Sequence, residues 1–254
     1  YLAIADTRDA LFTSDASGNG NNWTPNDLQH SDVMPDTPTD GFAVLNSIDK
    51  SSSSISEGNL KIGAVTNSWN NHARASFFVN SGKWYWEIHK LGSGGFWKAG
   101  IRQNDDSLSS NSSSSTGYEY YAYNGYKQSS STNSSFGSAV STGSILAFAL
   151  DLDAGTITAY VDNVSQGTMF TGLTGSWSPT YSGYNGIVNF NFGQDSSFNA
   201  NKIPQGNTDG NGKGDFFYAP PSGYLALCNA NLPDPAIDPN KGENPENYFN
   251  TVLY

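Results

Sequence analysis

Residues 82–88, GKWYWEI, constrain this chain more than any other stretch. They follow a turn, Asn80-Ser81-Gly82, that closes the apolar run Phe77-Phe78-Val79. Alternation sets Trp84, Trp86 and Ile88 on one face and Lys83, Tyr85, Glu87 and His89 on the other. Each Trp can remove on the order of 200 Å² from water, so two on one face can anchor a sheet-on-sheet core. The stretch predicts a central strand entered through a hairpin, with Trp84 and Trp86 in the interior.

Other segments carry the same period. Leu60-Lys61-Ile62, residues 77–79 and residues 96–102 (FWKAGIR) read as strands. Residues 145–150 (ILAFAL) form a continuous apolar run of the kind buried on both sides. Asp151 to Gly155 then turns the chain, with Gly155 where a positive φ is needed, and residues 156–161 return with clean alternation. Val188, Phe190 and Phe192 share a core face, leaving Asn189 and Asn191 outside. Residues 118–126 (YEYYAYNGY) hold five tyrosines around an Asn124-Gly125 hairpin turn. Residues 51–54, 105–116 and 128–135 are Ser-rich and read as loops or polar stretches. No stretch shows a convincing helical period, and 27 glycines and 11 prolines favour short strands and turns.

The ends read differently. Residues 1–40 form a lead-in arm, with Phe12 and Trp23 expected to pin it to the sandwich. From residue 201 the chain reads as an extension or a linker to a following domain, with a turn-dense loop at 205–215 and an aperiodic tail at 231–247. A single sandwich over 41–200 lies between them. The first residues, with no initiator Met, and the strand-like TVLY at the end read as cut from something longer.

Charge excludes some functions. A net charge of −11, with no Lys/Arg cluster, argues against a nucleic-acid partner. No apolar run is long enough to span a bilayer as a helix, so membrane insertion is not expected. One cysteine, Cys228, rules out an intrachain disulfide and a cysteine metal cage, and is most simply a small packed hydrophobe.

With the strands in order, the chain resembles a SPRY domain. The resemblance rests on residues 82–88, 99–102 (AGIR), 121–125 (YAYNG), 143–153 (GSILAFALDLD), 155–163 (GTITAYVDN) and 188–193 (VNFNFG). Two departures exist: Asp162-Asn163 where the family usually has Asn-Gly, and Ala159 where an aromatic is common. The resemblance implies an all-β fold, a two-sheet antiparallel β-sandwich of the concanavalin-like jelly-roll kind with extended arms. It also implies a non-enzymatic binding module that recognises protein or glycan through loops. The flanks, residues 6–28 and 226–235, are similar to segments around SPRY-like domains in tail-fibre-like proteins of marine bacteriophages. That similarity implies a virion, extracellular protein that meets a host-surface glycan or protein, or neighbouring virion subunits. By analogy with tail fibres it also implies a homo-oligomer, a trimer.

Several side chains are candidates. Trp69, Tyr118, Tyr121, Tyr123, Tyr126 and Tyr184 form the ligand-binding hypothesis, since such rings stack on sugars while their polar tips hydrogen-bond. The alternative is that alternate tyrosines plug the core and the rest decorate the sheet. The loops at 67–72, 105–126 and 180–186 are expected to face the ligand. A glycan-trimming enzyme would need two carboxylates held roughly 5–9.5 Å apart. Glu87 and Glu119 are the only glutamates in strand-like context, Asp105 and Asp106 lie in a Ser loop, and Asp151 and Asp153 fit turn chemistry. No catalytic residue is therefore assigned. His30, His72 and His89 lack ligand spacing. No cofactor is expected. Calcium is the one metal for which loops 15–22 and 207–211 offer oxygen ligands, although Asx-Gly turns explain both without an ion.

Overall fold

The computed structural model describes residues 15, 17–22, 24, 26, 34–37, 40–92, 94–104, 108, 117–130 and 132–233. Phe12, Trp23, His30, Asp105 and Asp106 lie outside these residues, as does the chain beyond 233. Among the described residues fifteen strands follow in order. The first seven are β1 (Leu45–Lys50), β2 (Ser53–Ser56), β3 (Lys61–Ala64), β4 (Asn71–Ala75), β5 (Lys83–Leu91), β6 (Trp97–Gln103) and β7 (Gly117–Tyr121). Then come β8 (Tyr126–Ser129), β9 (Thr132–Ser135), β10 (Ile145–Asp151), β11 (Thr156–Val161), β12 (Val164–Thr171), β13 (Trp177–Gly183), β14 (Ile187–Asn191) and β15 (Leu225–Ala226).

They form two antiparallel sheets. One has the order β1-β4-β13-β6-β7-β8-β9 and the other β12-β11-β10-β5-β14-β3-β2, with the short β15 added in parallel beside β5. The GKWYWEI strand is central as expected, flanked by β10 and β14. Its Trp84, Trp86 and Ile88 lie in the interior with Leu146, Phe148 and Phe190, against Trp97, Ile101, Tyr120 and Tyr181 of the other sheet. Trp86 faces Phe148 in register, their rings 5.4 Å apart. The result is an all-β sandwich.

Turn chemistry follows the sequence where it is specific. Gly155 has φ +65° in the β10–β11 hairpin. Asp162 and Asn163 both take positive φ, 47° and 65°, so this pair supplies the left-handed turn that Asn-Gly would. Three expectations are corrected. No hairpin leads into β5, because β4 belongs to the opposite sheet and residues 76–82 cross between the two. Phe77–Val79 makes no strand, only an isolated bridge from Val79 to Trp177. The Ser-rich stretches at 51–54 and 128–135 contain strand residues of β2, β8 and β9, since edge strands need no apolar face to pair.

The second face of the central sheet is not left to water. Tyr85, Glu87 and His89 are buried, as are Asn189 and Asn191. After β14 the chain leaves the sheet at Gly193 (φ +123°), crosses this face, and returns as β15, which pairs with Trp84 and Tyr85 beyond the point where β14 stops. Phe216 stacks edge-on to Tyr85 at 5.2 Å over the small side chains of Ala147 and Ala149, with Phe42, Ala226 and Cys228 completing a second apolar cluster. Residues 193–233 are thus a covering layer, and the double-sided burial expected of ILAFAL has its physical cause here.

Candidate binding surface

Antiparallel pairing brings distant residues to one end of the sandwich. Gly183, the last residue of β13, pairs with Asn71 at the start of β4 and Trp97 at the start of β6. Lys98 pairs with Tyr121 at the end of β7, and Ile187 with Leu91 and Gly63. The β3–β4, β5–β6, β7–β8 and β13–β14 connections therefore emerge together.

An aromatic patch forms where they meet. Trp69 stands edge-on to Tyr121 at 5.5 Å and 6.1 Å from Tyr184. Phe96 lies 4.5 Å from Tyr123 and 6.2 Å from Tyr184, and Tyr121 is 6.4 Å from Tyr123. Tyr123 is 57% exposed, while Trp69, Phe96, Tyr121 and Tyr184 are half-buried. Four of the six proposed ligand-binding residues thus come together. Tyr126 faces Tyr121 across the β7–β8 pair and sits beside the patch. Tyr118 does not join it: it packs against Phe170 at 4.6 Å and Trp177 at 5.4 Å on the core side. The plugging role fits Tyr118 and Tyr120, which share β7 with Tyr121 but point the other way. Gly125, at φ +73°, holds the β7–β8 turn, and a Cβ there would collide with the backbone of Gly137.

Below the patch lies a charged layer. Lys98 Nζ rests over Trp69 at 4.3 Å and Tyr121 at 5.3 Å and donates to Gln128. Burial lowers the pKa of Lys98. Deeper in, Arg102 pairs with Glu119 at 3.2 Å, Ser182 donates to the same carboxylate, and His72 Nδ1 meets the Ser182 hydroxyl at 2.9 Å. Burial alone would raise Glu119, but Arg102, Lys98 and Ser182 outweigh it and hold the carboxyl below its usual range. Phe96 and Lys98 were missed as site residues. Their signal was the alternation of FWKAGIR, which points both away from Trp97.

The expected loop set does not share one face. Residues 67–72 and 180–186 lie at the patch, but the connection between Gln103 and Gly117 leaves from the opposite end, since Arg102 pairs with Gly117. Sequence order could not show this, because that connection and the tyrosine hairpin sit on either side of one short strand. The two strand glutamates do not make a catalytic pair. Glu87 and Glu119 alternate with core residues on different sheets, so they point away from each other across the sandwich. Burial raises Glu87 to about 7, against hydrogen bonds from the Tyr218 and Phe217 N–H groups, the Tyr85 hydroxyl and the Asn191 amide. Asp209, in one calcium-candidate loop, accepts from the N–H groups of Asn211, Lys213 and Ala226 and from the Asn231 amide. Asp15, in the other, accepts from the N–H groups of Ser17 and Asn21. Both loops are closed by such bonds.

Fold and surface together define an all-β module with loops gathered at its ends. Residues 83–195 match the family model of the SPRY domain. The chain is similar in structure to the SPRY domain of human HERC1, with a TM-score of 0.51 and 15% identity over 57% of this chain and 96% of that one. It also matches stonustoxin with a TM-score of 0.46 and 22% identity, covering 59% of this chain and 27% of the toxin chain. No curated protein matches the sequence. The sandwich is therefore SPRY-like in sequence and fold, and SPRY domains are generally non-enzymatic protein–protein binding modules.

Proposed function

We propose that this chain is a non-enzymatic binding module of a phage tail fibre or related virion appendage, displayed outside the cell. Its patch end contacts a host-surface glycan or protein, or a neighbouring subunit. One observation carries the reading: four aromatic side chains from four separate connections and Tyr121 from the end of β7 converge at one end of the sandwich, with Tyr123 largely exposed. Rings held on a rigid base suit recognition because little side-chain freedom is lost on contact. The buried Lys98–Gln128 and Arg102–Glu119 layer supplies that base. The tail-fibre context rests on the flanking sequences, and in that context the chain forms a homo-oligomer, most simply a trimer.

Adsorption of the purified chain to intact marine bacteria tests this. Saturable binding that is lost in Trp69→Ala and Tyr123→Ala supports the patch. Loss after periodate treatment of the cells assigns a glycan, and loss after protease treatment a protein. Adsorption unchanged in both variants overturns the patch as the contact. No adsorption at all leaves a subunit contact or a structural spacer, which the mass of the assembly in solution then distinguishes.

A further inference from the structure

The aromatic patch carries a ligand preference in the residues around its rings. The four connections that form it, residues 65–70, 92–96, 122–125 and 184–186, hold no Asp, Glu, Lys, Arg or His, although 14% of the chain is charged. Their exposed polar side chains include the amides of Asn67, Asn70, Asn124 and Asn185. Asn124 Oδ1 accepts from the Tyr126 N–H at 3.1 Å, and Asn185 Oδ1 from the Phe96 N–H at 2.9 Å, which leaves the NH2 group of each to donate. An amide both donates and accepts, as a hydroxyl does, whereas a carboxylate only accepts and an ammonium only donates.

The surface is also fixed by its own chain. Asn71, fully buried, sets its NH2 group among the carbonyls of Thr66, Ser68 and Gly183, which pins the Trp69 connection to the end of β13. The Tyr184 N–H donates to the Phe96 carbonyl at 2.8 Å, so the β5–β6 and β13–β14 connections hold each other. A preorganised site gives up little freedom on contact, which matters most for a ligand that brings no charge.

We infer that the patch takes a neutral glycan, with an uncharged pyranose ring stacked on Tyr123 and its hydroxyls bonded by Asn124 and Asn185. The inference deepens the reading above and rests on the patch end being the contact surface. A pyranose has an apolar C–H face and a rim of hydroxyls, and aromatic rings flanked by amides complement both. A cationic ligand is disfavoured, because Lys98 Nζ already rests over Trp69 and Tyr121, 4.3 and 5.3 Å from their ring centres. An acidic glycan finds no cation in these connections, since the lysine beneath them is 3% exposed and donates to Gln128. The net charge of −11 repels such a ligand further. A protein partner is ordinarily steered and held in register by charges around the contact, and these connections offer none.

The test is a titration of the isotope-labelled full chain, followed by amide resonances. The probes are neutral oligosaccharides of glucose, galactose, mannose and N-acetylglucosamine, beside oligogalacturonate and a sulfated galactan fragment. Saturable shifts are expected at Tyr123 and at the side-chain amides of Asn124 and Asn185 with a neutral member, and none with the acidic ones. Asn185→Asp keeps the acceptor for the Phe96 N–H but loses the NH2 donors, so it should weaken that binding about fivefold. Tyr123→Ala should abolish saturation. An acidic probe that binds as tightly as any neutral one overturns the inference, and so does silence from the whole panel. If the chain still adsorbs to cells after such a result, and Tyr123→Ala removes that adsorption, the contact surface stands and only its ligand class is wrong. Adsorption indifferent to Tyr123→Ala sinks the contact surface and the inference together.

Discussion

Each outer face of the sandwich carries one buried glutamate, and the two are kept by opposite means. Glu119 on the seven-stranded sheet has a cation, with Arg102 at 3.2 Å and Lys98 nearby. Glu87 on the eight-stranded sheet has hydrogen-bond donors instead: the N–H of Phe217 at 2.9 Å, that of Tyr218 at 2.7 Å, the Tyr85 hydroxyl and the Asn191 amide. Neutral donors in an apolar layer do not offset the cost of burying charge, so Glu87 rises to about 7, whereas Glu119 falls below its usual range. One face is an ionic base under an exposed aromatic patch. The other is clamped shut by its own chain, through two backbone N–H groups on a single carboxylate.

The sharpest way to break this contrast is Arg102→Met. Glu119 would be left buried without its cation, a loss of about 3–5 kcal/mol at neutral pH. Glu119 now contributes stability that is present above its ordinary pKa of 4.5 and lost as pH falls through its lowered value. In the variant the sign reverses, so the deficit should shrink at acid pH, where the carboxyl is neutral. Urea denaturation of both chains across pH measures this, and a deficit that grows on acidification would contradict the pairing.

Glu87 gives the next largest effect with the opposite slope. Its folded pKa lies above its unfolded 4.5, so the native state binds the extra proton. Its contribution is fully present below pH 4.5 and lost as pH rises through about 7. The span amounts to about 3 kcal/mol. Glu87→Gln removes that dependence but cannot accept both backbone N–H groups, so it should be less stable at low pH by about 1–3 kcal/mol. The difference between the two stability–pH curves isolates this residue. Parallel curves would show that Glu87 does not titrate in this window.

This contrast marks the limit of what the sequence shows. GKWYWEI, ILAFAL and VNFNF mark the core face of the eight-stranded sheet, because alternation is local and Trp84, Trp86, Phe148 and Phe190 obey it. Tyr121 and Tyr123 were recognisable as aromatics beside a turn, and Trp69 and Tyr184 as aromatics in loops. Their meeting depends on the register of β13 with β4 and with β6, pairings between strands far apart in the chain, which no local pattern carries. Glu87 and Glu119 look alike as letters, each an acid alternating with aromatics. Only the path of residues 193–233 makes one of them neutral-leaning. The hint was Ala147 and Ala149, small residues alternating with large ones on a strand apolar on both sides, which leave room for Phe216.

The covering layer also carries strain that the patch face does not need. Ala200 is exposed at φ +57°. A left-handed alanine costs about 1 kcal/mol or more relative to glycine, partly offset by the greater freedom glycine gives the unfolded chain. Ala200→Gly should therefore stabilise by about 0.5–1 kcal/mol, read as a rise in the urea midpoint with unchanged slope. A lower midpoint would mean that residue 200 is not left-handed in solution.

The smallest stability change should come at the patch, and there it matters most. Tyr123 is the most exposed of the five rings and touches only Phe96 and Tyr121 within the patch. Its removal should cost no more than about 0.5 kcal/mol of folding free energy, since exposed substitutions away from the core rarely do more. If the ring is a contact, the same change weakens adsorption about thirtyfold or more, the scale of a central aromatic anchor. Stability and binding would then separate at one residue, as they should where a rigid base holds side chains that the fold itself does not require. Should Tyr123→Ala instead destabilise the chain by 2 kcal/mol or more, the ring would be part of the core packing and the patch would lose its exposed anchor.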